Sequence, residues 1–234
     1  FKSGTPKISG ISLKAGTAKS SEPKMNSYVR TTMKKPMWTE AEPSSEKKLK
    51  VKLWRECYSK LPGLPKNINE NNWINIGSKN QKPDDEVKAA VLKQFQNSPK
   101  IFDKLYQIQN KVCRQHMCDM INKNQQATKD WIGQEFRLQT EGSSDEVPLT
   151  LVKAIGNKAD EQGDKLAKFY PKITKVKAYL NTSSVQEWFI DVYAGQKKLT
   201  LLMTIRSDSE YRESKQQGKL GKYMGLKLLY RGYK

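Results

Sequence analysis

The chain has 234 residues and a formal net charge of +19, from 43 Lys and Arg against 24 Asp and Glu, a surplus that favours polyanionic partners such as nucleic acid or anionic lipid and says little about fold. Its longest nearly apolar stretch, Leu199 to Ile205, is seven residues long, far short of the roughly 20 that a membrane-spanning helix needs. Three cysteines at uneven spacing do not make a disulfide framework, and a single histidine weighs against most catalytic triads and most zinc sites.

Residues 1–36 read as an extended basic arm. Over residues 1–35 seven Lys and one Arg stand against Glu22 alone, with Gly, Ser, Thr and Pro interleaved. Such a segment buries too little surface to offset its ordering entropy, so it is expected to lie along a partner. The start at Phe1 without a signal-peptide pattern predicts a processed chain, and the acid-poor, Ser/Thr-containing composition fits import into an organelle.

Residues 37–83 are expected to form a short helix and a connector. Ser44 or Ser45 can cap a helix in which Leu49, Leu53 and Cys57 recur every four residues, and Pro62, Gly63 and Pro65 end it. Trp38, Trp54, Tyr58 and Trp73 are isolated anchors among polar neighbours.

Residues 84–211 are expected to be an α+β core, helices first and a small antiparallel sheet after. Asp84, Asp85 and Glu86 open a helix whose buried face is Val87, Val91 and Phe95. Pro99 starts a second helix running to about Lys123, a third covers Ala127 to about Leu138, and Leu149–Ile155 and Asp160–Tyr170 read as two shorter helical pieces either side of Gly156-Asn157. Over Glu135–Leu151, Phe136/Leu138 and Val147/Leu149/Leu151 also fit a strand pair. The apolar period then becomes two: Val176, Ala178 and Leu180; Trp188, Ile190 and Val192; and Leu199, Leu201, Met203 and Ile205 alternate with polar residues. This pattern predicts a meander with one dry face toward the helices, turning at Asn181–Ser184 and at Gly195, with a fourth strand over Leu226–Arg231.

Residues 212–234 form a second basic segment, net +6, so the two ends hold thirteen of the nineteen net charges. The residues expected to contact phosphate are therefore Lys2, Lys7, Lys14, Lys19, Lys24, Arg30, Lys34 and Lys35 in the arm, and Arg212, Lys215, Lys219, Lys222, Lys227, Arg231 and Lys234 at the other end. Tyr211, Tyr223, Tyr230 and Tyr233 lie among these cations, where they could stack on bases or meet a lipid interface; Tyr223 and Tyr230 could equally complete the sheet core.

Evidence for catalysis is thin. Cys113, His116 and Cys118 are the only cluster of metal-ligand types, but on a helix Cys118 is rotated about 200° from His116 and only Cys57 could add a fourth ligand, so no metal is expected. There is no phosphate-cradling, dinucleotide or nucleophile-elbow motif. The Gly218–Gly225 stretch reads as a phosphate-touching loop. Acid pairs such as Asp84/Asp85 and Asp160/Glu161 sit at expected helix starts, where the helix dipole explains them. Neither an enzyme nor a cofactor is expected.

A processed-looking start, a basic arm, an α+β centre and a basic aromatic end resemble, in organisation, the mitochondrial ribosomal proteins. The helices followed by the meander over 175–206 also resemble the cone-shaped domain of the mitochondrial import-motor and membrane-facing ribosomal subunits. The resemblance implies a structural subunit in the matrix or on the matrix face of the inner membrane, with rRNA and neighbouring subunits as partners and no small-molecule substrate. The alternative is an accessory subunit of an inner-membrane complex such as ATP synthase or a respiratory enzyme, meeting acidic partners and anionic membrane.

Overall fold

A computed structural model describes residues 10–15, 26–75, 82–136, 138, 149–155, 157–162, 164–206 and 226–234. The fold is α+β, as the sequence predicts. Its strands are β1 (Gly10–Ala15), β2 (Asn26–Tyr28), β3 (Leu149–Ile155), β4 (Lys158–Gln162), β5 (Lys175–Leu180), β6 (Glu187–Ala194), β7 (Lys197–Arg206) and β8 (Lys227–Tyr233). Its α-helices are α1 (Val29–Met33), α2 (Pro36–Ala41), α3 (Ser45–Glu56), α4 (Glu70–Ile74), α5 (Lys82–Gln96), α6 (Pro99–Lys123), α7 (Gln125–Glu135) and α8 (Asp164–Phe169).

The main sheet has five antiparallel strands in the order β2-β8-β7-β6-β5. Cross-strand pairs Val176↔Val192, Ala178↔Ile190, Ile190↔Leu201 and Trp188↔Met203 stack one apolar row after another on its inner face, all of them buried. The two-residue turn between β6 and β7 works because Gly195 takes φ +61°, which a side chain would oppose. A bulge opposite Leu202/Met203 leaves Arg231 as the extra residue in β8, and Gly232 beside it takes φ +121°.

Helix α6, 25 residues and about 38 Å long, organises the rest. Pro99 at its start and Asn124 at its end match the expected bounds. On one side it holds α3; on another it carries Asn110, whose amide donates to the Ile205 carbonyl of β7 at 2.7 Å. Farther along, it lies against the outer edge of β5. Gln125, just beyond it at the start of α7, donates to the Val176 carbonyl at 3.0 Å and accepts from the Val176 N–H at 2.7 Å. Asn122 does the same for Ala178, at 2.9 and 2.7 Å. Two side-chain amides thus occupy the place of a next strand. Arg114, buried on the same helix, donates to the Ser184 and Glu187 carbonyls at 2.8 and 2.7 Å and so fixes the β5–β6 turn.

The isolated aromatics form two groups. Trp38 of α2 packs on Trp131 of α7, with ring centroids 5.8 Å apart. Tyr58 sits 4.4 Å from Trp73 and 6.4 Å from Phe95, and Trp73 donates its indole N–H to the Lys50 carbonyl at 3.2 Å.

Four expectations are corrected. The extended arm does not run to residue 36: β2 pairs with β8, and Val29, Thr32 and Met33 are buried, because a basic composition does not stop a short amphipathic turn from packing when the rest of the core supplies its other half. Leu149–Ile155 is strand β3, paired parallel with β1 and antiparallel with β4. The helix expected over Asp160–Tyr170 begins only at Asp164, since β4 takes 158–162. The basic segment from 212 is not a separate unit, because 227–233 is a strand inside the sheet.

Candidate nucleic-acid interface

The sequence places phosphate contacts in the two ends. Of those residues, Lys2, Lys7, Lys19, Lys24, Arg212, Lys215, Lys219 and Lys222 lie outside the described residues, as do Gly218–Gly225, Tyr211 and Tyr223. Lys14 is on β1. Arg30 and Lys35 are paired with acids of the fold, Arg30 Nε 3.0 Å from the Glu46 carboxylate and Lys35 Nζ 2.8 Å from Glu135 Oε1, while Lys34 stays exposed with its Nζ 3.9 Å from Glu46. Tyr230 is a core residue, edge-on to Phe136 at 5.0 Å, as the structural alternative for it anticipated.

Lys227, Arg231 and Lys234 lie on or just beyond β8 and bring the sheet's outer face into view. Because side chains alternate along a strand, the register fixes which residues share that face. One row across the strands reads Lys175, Tyr193, Lys198; the next reads Lys177, Asp191, Thr200, with Lys234 hydrogen-bonded through its N–H to the Thr200 carbonyl at 3.0 Å; the third reads Tyr179, Phe189, Leu202, Gly232. Lys175, Lys177, Lys198 and Lys234 are exposed, whereas Tyr179, Tyr193 and Leu202 are half-buried. Tyr179 and Phe189 rings pack with centroids 5.4 Å apart, and the Lys234 ammonium stands 4.5 Å from the Phe189 centroid.

The two acids on this face are held by neighbours. Asp191, buried, accepts from Thr200 Oγ1 at 2.7 Å, Tyr179 OH at 3.3 Å and Tyr193 OH at 3.4 Å, with Lys198 Nζ at 3.5 Å. Burial and the adjoining carboxylate raise the Tyr179 hydroxyl above its ordinary pKa, so it stays protonated and donating. Glu187 accepts from Asn181 Nδ2 at 2.8 Å. The carboxylates are thus committed to positioning aromatic rings and a turn, while the ammonium groups remain at the surface. The exposed ammonium groups suit a negatively charged partner, whereas Phe189, 6 % exposed, offers it no open ring face.

The cysteine and histidine residues lie elsewhere, in the helical core. His116 and Ser45 Oγ share a 2.8 Å hydrogen bond, and Ser45 also reaches Met120 Sδ at 3.3 Å. Burial pushes the His116 imidazole down to about 4 and the Cys57 and Cys118 thiols up to about 12; Cys113 is raised too. Among the described residues no three His, Cys, Asp or Glu side chains converge as metal ligands, and no helix is long and apolar enough to cross a membrane.

Sequence reasoning missed the outer face as a unit. Lys175, Lys177 and Tyr179 were visible as the polar side of the alternation, but only the register of β6 with β7 adds Lys198, and only the position of β8 adds Lys234. No protein-family model, curated protein or solved structure matches the chain.

Proposed function

We propose that the chain is a non-catalytic RNA-binding subunit of a large mitochondrial assembly, a ribosomal protein by preference. The observation that carries the reading is the outer sheet face, where Lys175, Lys177, Lys198 and Lys234 are exposed around carboxylates already taken by Thr200, Tyr179, Tyr193 and Asn181. A phosphate backbone meeting that face neutralises ammonium groups and releases counterions; among the described residues the ion pair it would compete with there is the 3.5 Å contact of Lys198 with Asp191. The overall charge of +19 and the acid-poor first 35 residues support a polyanion in an organelle in the same direction. Phosphate contacts position such a subunit on folded RNA without reading its sequence.

The test is crosslinking of the tagged full chain in intact mitochondria, followed by sequencing of attached RNA and identification of attached protein. Abundant rRNA on β5–β8 peptides supports the reading. Adducts to inner-membrane subunits or lipid, with no RNA, overturn it in favour of an accessory role in a membrane complex.

A further inference from the structure

We infer that Thr204 and Arg206, on the outer face of β7, form a binding site for one phosphate group. They stand two residues apart on a strand, so their side chains leave the same face with Cα atoms about 6.7 Å apart. The alternation identifies that face as the outer one, because Met203 and Ile205 belong to the core. Thr204 is 6 % exposed, and its hydroxyl is buried without a hydrogen-bond partner. The Arg206 Nε–H is likewise buried and unpartnered, and among the described residues no ion pair engages its guanidinium. Two adjoining buried groups that can both donate, with nothing to receive their protons, burden the fold until an acceptor sits between them.

The residues determine which acceptor fits. Arg206 is permanently charged and can only donate, which favours an anion over a neutral acceptor. A guanidinium fork beside a hydroxyl matches a group with several oxygens, two for the fork and one for the hydroxyl, as a tetrahedral phosphate has. Lys227 of β8 pairs with Arg206 in the register and adds a second cation to the row. Both are half-buried, whereas Leu229 opposite Thr204 is buried, so the ligand enters from the Arg206 side with Thr204 at the bottom of the site. Glu187, opposite Thr204 on β6, is turned toward β5, where its carboxylate accepts from Asn181 Nδ2 at 2.8 Å. The inference stands apart from the RNA-binding reading, since the same group is supplied by an RNA backbone or by a free phosphate compound.

The experiment follows thermal unfolding of the full chain as inorganic phosphate replaces chloride at constant ionic strength, which cancels the screening that any salt gives a chain of net charge +19. At five times the dissociation constant, phosphate is expected to raise the midpoint by about 2–4 °C. Thr204→Val keeps the size of the side chain and removes the unpartnered hydroxyl. It is expected to be at least as stable as wild type in chloride, yet to bind phosphate about tenfold more weakly. Arg206→Gln is expected to abolish the phosphate response, and Arg206→Lys, which keeps the charge without the fork, to restore only part of it. A midpoint that does not respond to phosphate, or a response that both Thr204→Val and Arg206→Gln retain, overturns the site. Lower stability of Thr204→Val in chloride with an unchanged phosphate response assigns the hydroxyl to a bound water and overturns it as well. Fluorescence anisotropy with a labelled 12-nucleotide RNA, as single strand and as duplex, separates the two sources. RNA binding that weakens in Thr204→Val identifies the phosphate as part of an RNA backbone. RNA binding indifferent to Thr204→Val, beside a phosphate response that the variant loses, identifies a free phosphate compound. No RNA binding with the phosphate response intact leaves this site standing and overturns the RNA-binding reading alone.

Discussion

His116 is the only histidine in the chain, so any stability change between pH 8 and 5 that it causes can be isolated by a single substitution. Its imidazole is buried between α3 and α6 against Ser45, with Lys52 and Lys48 opposing and Glu42 and Asp119 favouring a positive charge nearby. Burial is the largest influence and takes the group from the ordinary 6.5 down to about 4. The native state therefore refuses a proton that the unfolded chain accepts. Stability is at its full value above pH 6.5, falls as the pH drops from 6.5 toward 4, and the loss levels off below that. Linkage gives a loss of about 2 kcal/mol by pH 5 and about 3 kcal/mol by pH 4. The assay is urea unfolding followed by tryptophan fluorescence at pH 8, 7, 6 and 5, for wild type and His116→Gln. Carboxylates such as Glu42 titrate in both proteins and cancel in the difference. The variant is expected to be less stable at pH 8 but to gain on the wild type by about 2 kcal/mol between pH 8 and 5. Parallel curves over that range would show that His116 takes up its proton as readily in the folded protein as in the unfolded one, and would refute the argument from burial.

Three further outcomes follow from the packing. Arg114→Leu strands three carbonyls at the β5–β6 turn and is expected to cost about 2–4 kcal/mol in the same unfolding assay; a change below 1 kcal/mol would mean that water replaces the guanidinium. Gly133→Ala places a methyl group 2.1 Å from the Tyr170 hydroxyl and is expected to cost about 1–3 kcal/mol, with recovery when Tyr170 is also cut to Ala; no recovery would locate the strain elsewhere. Trp73→Ala removes a buried indole that touches Tyr58 and holds the Lys50 carbonyl, an expected loss of about 3–5 kcal/mol; thermal unfolding within a degree or two of wild type would contradict its place in the core.

Much of the fold was legible because its signals are local. Ser98-Pro99 sets the start of α6, and the period-two run over 175–205 contains its own turns, so both elements appear where expected. The hairpin of β3 and β4 looks helical in sequence because Leu149–Ile155 is a short apolar run without clear alternation, although Gly156-Asn157 between two strand-length segments is a hairpin turn signal. Helices α1 and α2 were hidden for a different reason. Arg30 in α1 and Lys35 just before α2 look surplus in sequence, and the acids that answer them, Glu46 and Glu135, are 16 and 100 residues away. The outer sheet face shows the same limit: each strand displays its own lysines and rings, but the grouping of Lys175, Phe189, Lys198 and Lys234 is a property of register, which no single strand carries.

The amides of Asn122 and Gln125 along β5 bear on how this protein can meet others. A bare strand edge is a template for growth, open to a neighbour's strand and, through repeated addition, to fibrils. Here the two N–H groups and two carbonyls that an incoming strand would use, at Val176 and Ala178, are already taken by side chains from the helical layer. The opposite edge, β2, offers only three residues. Among the described residues, strand addition to the main sheet at β5 would first have to displace the Asn122 and Gln125 amides.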